Sequence, residues 1–547
     1  MPRRNGLLSL LVLLGLAAAC SSSVPPTPAG PEVYVLDANA QGTAERVENV
    51  ASVTVVSSDP NALRAEYRAG FVQGKLQKPG ILAARDNDWD AAYLFDPGHH
   101  FPRQHGPSPA ELGKAATFLM ANHDFFIGWL RAVDDPDLAY MGKRVLFRLL
   151  GIQHGATRGQ PVELDFSGAW LPDATTLSPD DLILGYGTPT VTFADVLFLN
   201  AFYDLLDVVA YSPEGAGGEG PPTRCSAFLR RVGSEIIITH NSWTSFLSQT
   251  MVMTLVVNGQ FLTVNAATPG AVGSMTDFGY NGHGILFNET THRAGKSKPR
   301  VDAIWTFWRA TIAEQFATSV DGFFRLITLD NSGTYMNGYM VADAKTGDTG
   351  LVEASYRCEA FFRSSGGPYT VEMRSLDGEP CASGYDGELL TPGWILGVNM
   401  PVSLQIRDDL QSTDNRPARR RQMLELVPGV VDAETAKTVI TYTDPANPLS
   451  IFGRWDLGYG ETPNPKQIPD GAIDAKVATS SMALAASRLS MQLDTASTAR
   501  GFWMKFGTPK VNGAPFVWSK SSWAWQPLRD VPDVLDGAFL QPRLFLR

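Results

Sequence analysis

The sequence has little cysteine, no excess of positive charge and no long apolar run beyond its first twenty residues. Four cysteines in 547 residues are too few for a disulfide-built scaffold. Lys and Arg number 45 against 56 Asp and Glu, a net charge of −11, and the two signs are mixed along the chain. A nucleic-acid partner would need a basic patch or stripe, so none is expected. No later stretch reaches the ~18 uninterrupted apolar residues of a membrane-spanning helix. The G-x-S-x-G elbow, the H-E-x-x-H helix and the Walker loop are all missing. Their absence removes serine-hydrolase, zincin and P-loop readings. No segment is charged enough to suggest disorder, and no internal repeat is present. The length suffices for one large core or two domains.

What is present begins with a targeting pattern. Arg3 and Arg4 precede an apolar stretch, Leu7 to Leu16, and then Ala17-Ala18-Ala19-Cys20. Residues 1–20 therefore read as a signal that resembles those of bacterial lipoproteins, with Cys20 becoming the lipidated N-terminus. Ala17 departs from the Leu such signals usually carry. Residues 21–31 read as a flexible tether. The expected location is the cell envelope, held to a membrane by the lipid; a plain secretory signal and a secreted protein is the alternative. In such an oxidising compartment Cys358 and Cys381, which bracket a Gly/Ser/Pro-containing segment, are expected to form one disulfide. Two free thiols are the alternative.

Residues 32–211 read as a helix-rich N-terminal portion packing on the core. Val33 to Val56 is strand-like with a turn near Gln41-Gly42. Helical spacing covers Asn61 to Arg85, Ala110 to Met141 with a break at Asp134-Asp135-Pro136, and Phe193 to Val209. After residue 224 the pattern turns β-rich. Strands are expected at 226–231, 235–239, 250–257 and 260–265, with Asn258-Gly259 as a hairpin turn. Further strand signals lie at 284–288, 338–343, 350–356 and 394–398. Ala303 to Phe316 and Val477 to Met491 read as helices. The whole indicates a layered α+β architecture, with residues 225–547 as the catalytic portion.

The segment SPEGAGGEGPPTR, residues 212–224, holds four glycines and three prolines. It can neither pack a core nor hold a regular helix, so it reads as an exposed loop. Cys225 follows at once and opens a strand; His240-Asn241-Ser242-Trp243 closes the hairpin. Cleavage between Arg224 and Cys225 would free an α-amine beside the Cys225 thiol. Such an amine has a pKa near ~8 and can take the thiol proton at neutral pH.

Five ordered blocks sharpen this: CSAFL…ITHNSWTSF, DNSGTYMNGYMVADAKTG, GWILGVNMP, GRWDLGYG…GAIDAKVATSSMA and PFVWSKS, spanning 225 to about 521. Together they resemble the phospholipase B-like family. The resemblance implies an Ntn-hydrolase αββα four-layer core, matured by self-cleavage before the cysteine, with no cofactor. It implies a lipid or acyl-amide substrate and two fragments that stay associated. Carried over on the matching motifs are Cys225 as nucleophile, His240 as proton carrier or anchor of the thiol, Asn399 as oxyanion donor and Arg454 as the group that orients amine and substrate. Asn337 is a second amide donor, in a motif that departs from the family: Met336-Asn337-Gly338-Tyr339 stands where two asparagines and a Trp are usual.

Plainer roles stand beside these. Asn331, Asn337 and Asn399 could be turn residues. Arg454 with Asp456, and Asp474 with Lys476, could be structural pairs. Trp243 and Trp518 read as core aromatics. His99, His100 and His105 lack a carboxylate or thiol at ligand spacing, so no metal is expected. Asn288-Glu289-Thr290 matches a glycosylation acceptor that a bacterial lipoprotein would not use. The expected activity is acyl-chain removal from glycerophospholipids; an N-acyl amidase and a non-catalytic envelope lipoprotein are the alternatives.

Overall fold

A computed structural model describes residues 31–91, 106–211, 224–258, 260–274, 278–292, 294–414, 416–457, 469–489, 500–542 and 544. Cys20, the tether up to residue 30, the loop 212–223 and the histidines at 99, 100 and 105 lie outside these residues. The chain starts with β1 (Glu32–Asp37), β2 (Ala40–Val47) and β3 (Val50–Ser57). Four helices follow: α1 (Ala62–Ala91), α2 (Pro109–Ala132), α3 (Pro136–Thr157) and α4 (Phe193–Tyr211). Next come β4 (Arg224–Val232), β5 (Glu235–Ser245), β6 (Met251–Val257), β7 (Gln260–Ala267), β8 (Phe278–Asn281) and β9 (Ile285–Thr291). Helices α5 (Thr306–Phe316) and α6 (Val320–Ile327) precede β10 (Asn337–Asp343), β11 (Thr349–Ala354), β12 (Cys358–Ser364) and β13 (Thr370–Ser375). The remainder comprises β14 (Leu390–Thr391), β15 (Trp394–Gly397), α7 (Leu404–Asp409), α8 (Pro417–Leu426), α9 (Ala433–Ile440), β16 (Asp470–Ala472), β17 (Asp474–Thr479), α10 (Ser480–Leu489) and β18 (Trp503–Phe506). A short pair, β19 (Phe516–Val517) with β20 (Val534–Leu535), ends it.

The architecture is α+β. One sheet has eleven strands in the order β1-β2-β3-β6-β7-β8-β9-β10-β11-β12-β13. The second runs β14-β15-β4-β5-β17-β18, with β16 also paired to β5. The N-terminal segment shares the large sheet: β3 pairs in parallel with β6, Val53 opposite Met253. The two sheets meet where β9 lies against β4 and β5. There the Asn288 amide donates to Phe228 O (3.2 Å) and Thr239 O (2.8 Å), tying one sheet to the other. Phe228, Ile238, Leu286 and Met340 belong to the same buried apolar cluster. Each such residue contributes ~1.5–3 kcal/mol by leaving water.

Helices α1 and α3 approach closely enough to touch backbone to backbone. A Cβ on Gly74 would lie 2.1 Å from Ile152 O, and one on Gly155 2.0 Å from Phe71 O. Only glycine permits this crossing. The break at Asp134-Asp135-Pro136 is a helix start: Asp135 caps α3 by accepting from Asp137 N and Leu138 N. Among the described residues no helix is long and apolar enough to cross a membrane.

Several sequence expectations need correction. Gln41 and Gly42 lie inside β2 rather than in a turn. Gly42 is needed there because a Cβ would come within 2.7 Å of Val72 and 2.8 Å of Leu76 on α1. Helix α1 extends beyond Arg85 to Ala91 and carries Pro79 inside it. The helix expected from Val477 begins at Ser480, and Val477 to Thr479 complete β17. Strand β5 does not stop at Thr239; it continues through His240-Asn241-Ser242-Trp243 to Ser245. Asn258, at the hairpin tip, has φ 55° as expected for a tight turn. Cys358 and Cys381 are bonded, with Cα atoms 6.2 Å apart. The Asn288 side chain is fully buried in its inter-sheet role, which rules out glycosylation of the folded chain.

Candidate active site

Cys225 lies near the start of β4, where the chain enters the second sheet from the 212–223 segment. Pairing with β5 puts Cys225 opposite Ser242 and Ala227 opposite His240. The thiol is free and buried, with 8 % exposure. It donates to Glu289 Oε1 at 3.8 Å, across the gap between the sheets. His240 Nε2 lies 3.7 Å from the same oxygen. Neither His240 ring nitrogen makes a hydrogen bond. Asn337, at the start of β10, brings its amide to the other side of the carboxylate. With its amide oriented to satisfy both ends, Nδ2 donates to Glu289 Oε2 (3.2 Å) and Met336 O (3.0 Å), while Oδ1 accepts from Tyr339 OH.

Cys225 N is a peptide amide. It donates to Asn399 Oδ1 at 3.2 Å. Asn399 Nδ2 donates to Thr291 O at 2.8 Å. The acceptor end of Asn399 therefore faces Cys225 N, and the residue sits at φ 59°, a conformation Asn tolerates. Two guanidinium groups fix that amide: Arg416 Nη2 at 2.6 Å and Arg419 Nη1 at 2.8 Å both donate to Oδ1. Arg419 also donates to Cys225 O (2.6 Å) and to Val398 O. Arg416 lies over the Trp243 ring, 4.5 Å from its centre.

On β17, the neighbour of β5 in the sheet, Lys476 pairs with Asp474 Oδ1 (2.8 Å) and donates to Ser242 Oγ (2.8 Å). The register sets Lys476 opposite His240. Burial, followed by the Glu289 carboxylate, raises the Cys225 thiol pKa well above its ordinary value. Burial and then Lys476 lower His240 well below its own. The intact chain thus holds a neutral thiol and a neutral imidazole at pH 7. Burial also lowers Arg419 to about 10.

Arg454 is not brought into this cluster. Its side chain contacts Asp456 (Nε to Oδ1 2.8 Å), Pro509 O (3.4 Å) and the Phe516 ring. The arginines that reach Cys225 and Asn399 are Arg416 and Arg419, which the sequence reading missed, as it missed Glu289. Arg416 and Arg419 are almost fully buried, although they stand in the strongly basic run Arg416-Pro-Ala-Arg-Arg-Arg. Among the described residues, Cys225, His240 and Glu289 form one group of donors near enough to hold an ion, with ligand atoms within 4.8 Å of one another. A thiol, an imidazole and a carboxylate at this spacing are the chemical types that can serve as a nucleophile and two proton carriers. A cleft of about 280 Å³ is lined by Met336, Asn337, Tyr339 and Glu353, and another of about 330 Å³ by Tyr203, Asp204, Phe307 and Tyr335.

Residues 182–356 match the sequence model of the family described as Phospholipase B, a stretch that carries Cys225, His240, Glu289 and Asn337. The chain is similar to the phospholipase B-like family. Phospholipase B of Crotalus adamanteus is 26% identical over 379 residues, 60% of this chain and 64% of that protein. Phospholipase B-like protein G of Dictyostelium discoideum is 23% identical over 340 residues, 55% and 52% of the two chains. Phospholipase-B 81 of Drysdalia coronoides is 28% identical over 184 residues, 29% and 33%. The matches span about one to two thirds of these phospholipase B-like relatives.

Proposed function

We propose that this chain is a lipid acyl hydrolase of the Ntn type, whose nucleophile is the Cys225 thiol, exposed as a new N-terminus by self-cleavage after Arg224. The observation that carries the reading is the convergence on one residue: Cys225 Sγ on a carboxylate, Cys225 N on the Asn399 oxygen, and Cys225 O on Arg419. A structural buried cysteine needs none of these.

Once freed, the α-amine stays on Asn399 Oδ1. Arg416 and Arg419, one short hydrogen bond further on, disfavour its protonation and keep it a base near neutral pH. The amine takes the thiol proton, and the thiolate adds to the acyl carbonyl. The Asn337 amide, which also lines the 280 Å³ cleft, would serve as side-chain donor for the oxyanion by releasing one of its two N–H groups from Met336 O or Glu289 Oε2. The amine then protonates the leaving alcohol, and water hydrolyses the thioester. The four-layer αββα arrangement of Ntn hydrolases is part of this proposal, supported by the two sheets that meet at β4, β5 and β9. So are lipid anchoring through Cys20 and an envelope location.

The names of the relatives favour a phospholipid ester as substrate. The test offers matured protein a phosphatidylcholine, an N-acyl amine and a short acyl amide at pH 5 to 8. Release of fatty acid and lysolipid, lost in Cys225→Ala, is the expected result. Turnover of the amides alone would reassign the enzyme as an amidase, and turnover of none would remove the hydrolase reading.

A further inference from the structure

In the uncut chain the α-amine does not exist, so the base that serves lipid hydrolysis cannot serve the cleavage that creates it. Some other group must accept the thiol proton first. Among the described residues the carboxylate in contact with Cys225 Sγ is that of Glu289, whose Oε1 accepts from it at 3.8 Å. Glu289 is fully buried, and the Asn337 amide steadies its second oxygen at 3.2 Å. His240 shares Oε1 at 3.7 Å but is a poorer acceptor, because burial and Lys476 both oppose its positive form.

We propose that Glu289 is the catalytic proton acceptor for the self-cleavage step, distinct from the amine that serves substrate turnover. Glu289 takes the thiol proton as Sγ bonds to the carbonyl carbon of Arg224. The tetrahedral adduct collapses by breaking the bond from that carbon to Cys225 N, and Glu289 returns the proton to the departing nitrogen. This leaves a thioester between Arg224 and Cys225 Sγ and a free α-amine. One water then hydrolyses the thioester, giving a carboxyl on Arg224 and restoring the thiol. No redox partner is needed. The groups that bear on the acidity of this centre include Cys225 from β4, His240 from β5, Lys476 and Asp474 from β17, Tyr203 from α4 and Arg419 from α8.

This inference rests on the self-cleavage part of the proposed function, and the test separates the two. Full-length wild type, Glu289→Gln and Glu289→Asp are made by cell-free synthesis. Conversion to two fragments is timed by gel and mass spectrometry between pH 5 and 8, with and without hydroxylamine, which cuts thioesters. General acid–base groups contribute ~10²–10⁴-fold, so Glu289→Gln should convert at least ~100-fold more slowly. Hydroxylamine should not rescue it, because the thioester never forms. Glu289→Asp should convert at an intermediate rate with a shifted pH profile. Conversion of Glu289→Gln at the wild-type rate overturns the proposal, as does rescue by hydroxylamine. If Glu289→Gln does not fold, Glu289→Asp decides: a slowed, pH-shifted conversion supports the role, and an unchanged one removes it. Failure of the wild type to convert at all refutes self-cleavage itself, and this inference with it.

Discussion

Asn399→Asp isolates the role of the amine. The change keeps the side-chain shape, tolerates φ 59°, and keeps an acceptor toward Cys225 N and both arginines. It loses the donor to Thr291 O, worth ~1 kcal/mol. Its main effect is to put a negative charge beside the amine. Unit charges at ~4 Å interact by ~4 kcal/mol at an effective dielectric of about 20. Arg416 and Arg419 share the same oxygen and offset most of this. If a quarter survives, about 1 kcal/mol, the amine pKa rises by close to one unit, since a unit is ~1.4 kcal/mol. Below that pKa the rate follows the neutral fraction. The variant should therefore lose about tenfold at pH 6 and recover at pH 9, with its acid limb moved about one unit upward. The assay is the pH profile of kcat/KM on a chromogenic ester, using matured protein whose N-terminus is verified as Cys225. A folded variant whose acid limb coincides with that of wild type would refute the amine as general base.

Other consequences follow from the same contacts. Arg454→Ala should lower Tm, because it strands the largely buried Asp456, a change of ~3–5 kcal/mol; folded, cleaved protein should keep wild-type kcat, and lost kcat at unchanged Tm would contradict this placement. Replacing Cys358 and Cys381 together by Ser opens a covalent loop with a separation of 23 residues and should cost about 3 kcal/mol in denaturant unfolding, with acyl hydrolysis retained. Burial raises Glu359 from 4.5 to about 7 despite its bridge to Arg374. The folded state then holds a proton that the unfolded state has lost between pH 4.5 and 7, so this group's contribution is full below 4.5 and disappears as pH rises through 7. Glu359→Gln should accordingly gain Tm relative to wild type on going from pH 5 to pH 8, and a constant difference across that range would refute the shift.

Sequence made Cys225 and His240 legible because they lie on one hairpin, where pairing follows from spacing alone. Glu289 was hidden, since nothing in ILFNETT says which face of β9 meets β4 and β5; that depends on how two sheets stack. Asn399 was expected as an oxyanion donor, but its amide turns its oxygen toward Cys225 N, a direction that depends on Arg416 and Arg419, seventeen and twenty residues downstream. A polar run was mistaken for a strand end. In β5 those polar side chains are buried, and two of them are satisfied, Asn241 by Ile440 O and Ile451 O and Ser242 by Lys476. Gly42 looked like a turn residue because its real constraint, helix α1 passing over the strand, is tertiary. Helices α2 and α4 and the turn at Asn258 were legible because their signals are local, whereas α3 beyond Met141 and the end of α1 were not read as helix.

The most direct measurement for the central claim is N-terminal sequencing of the purified wild-type and Cys225→Ala proteins. The account predicts two associated wild-type fragments, the second beginning at Cys225, and a single uncut Cys225→Ala chain without acyl-hydrolase activity. Wild-type protein that hydrolyses lipid as one intact polypeptide would contradict it.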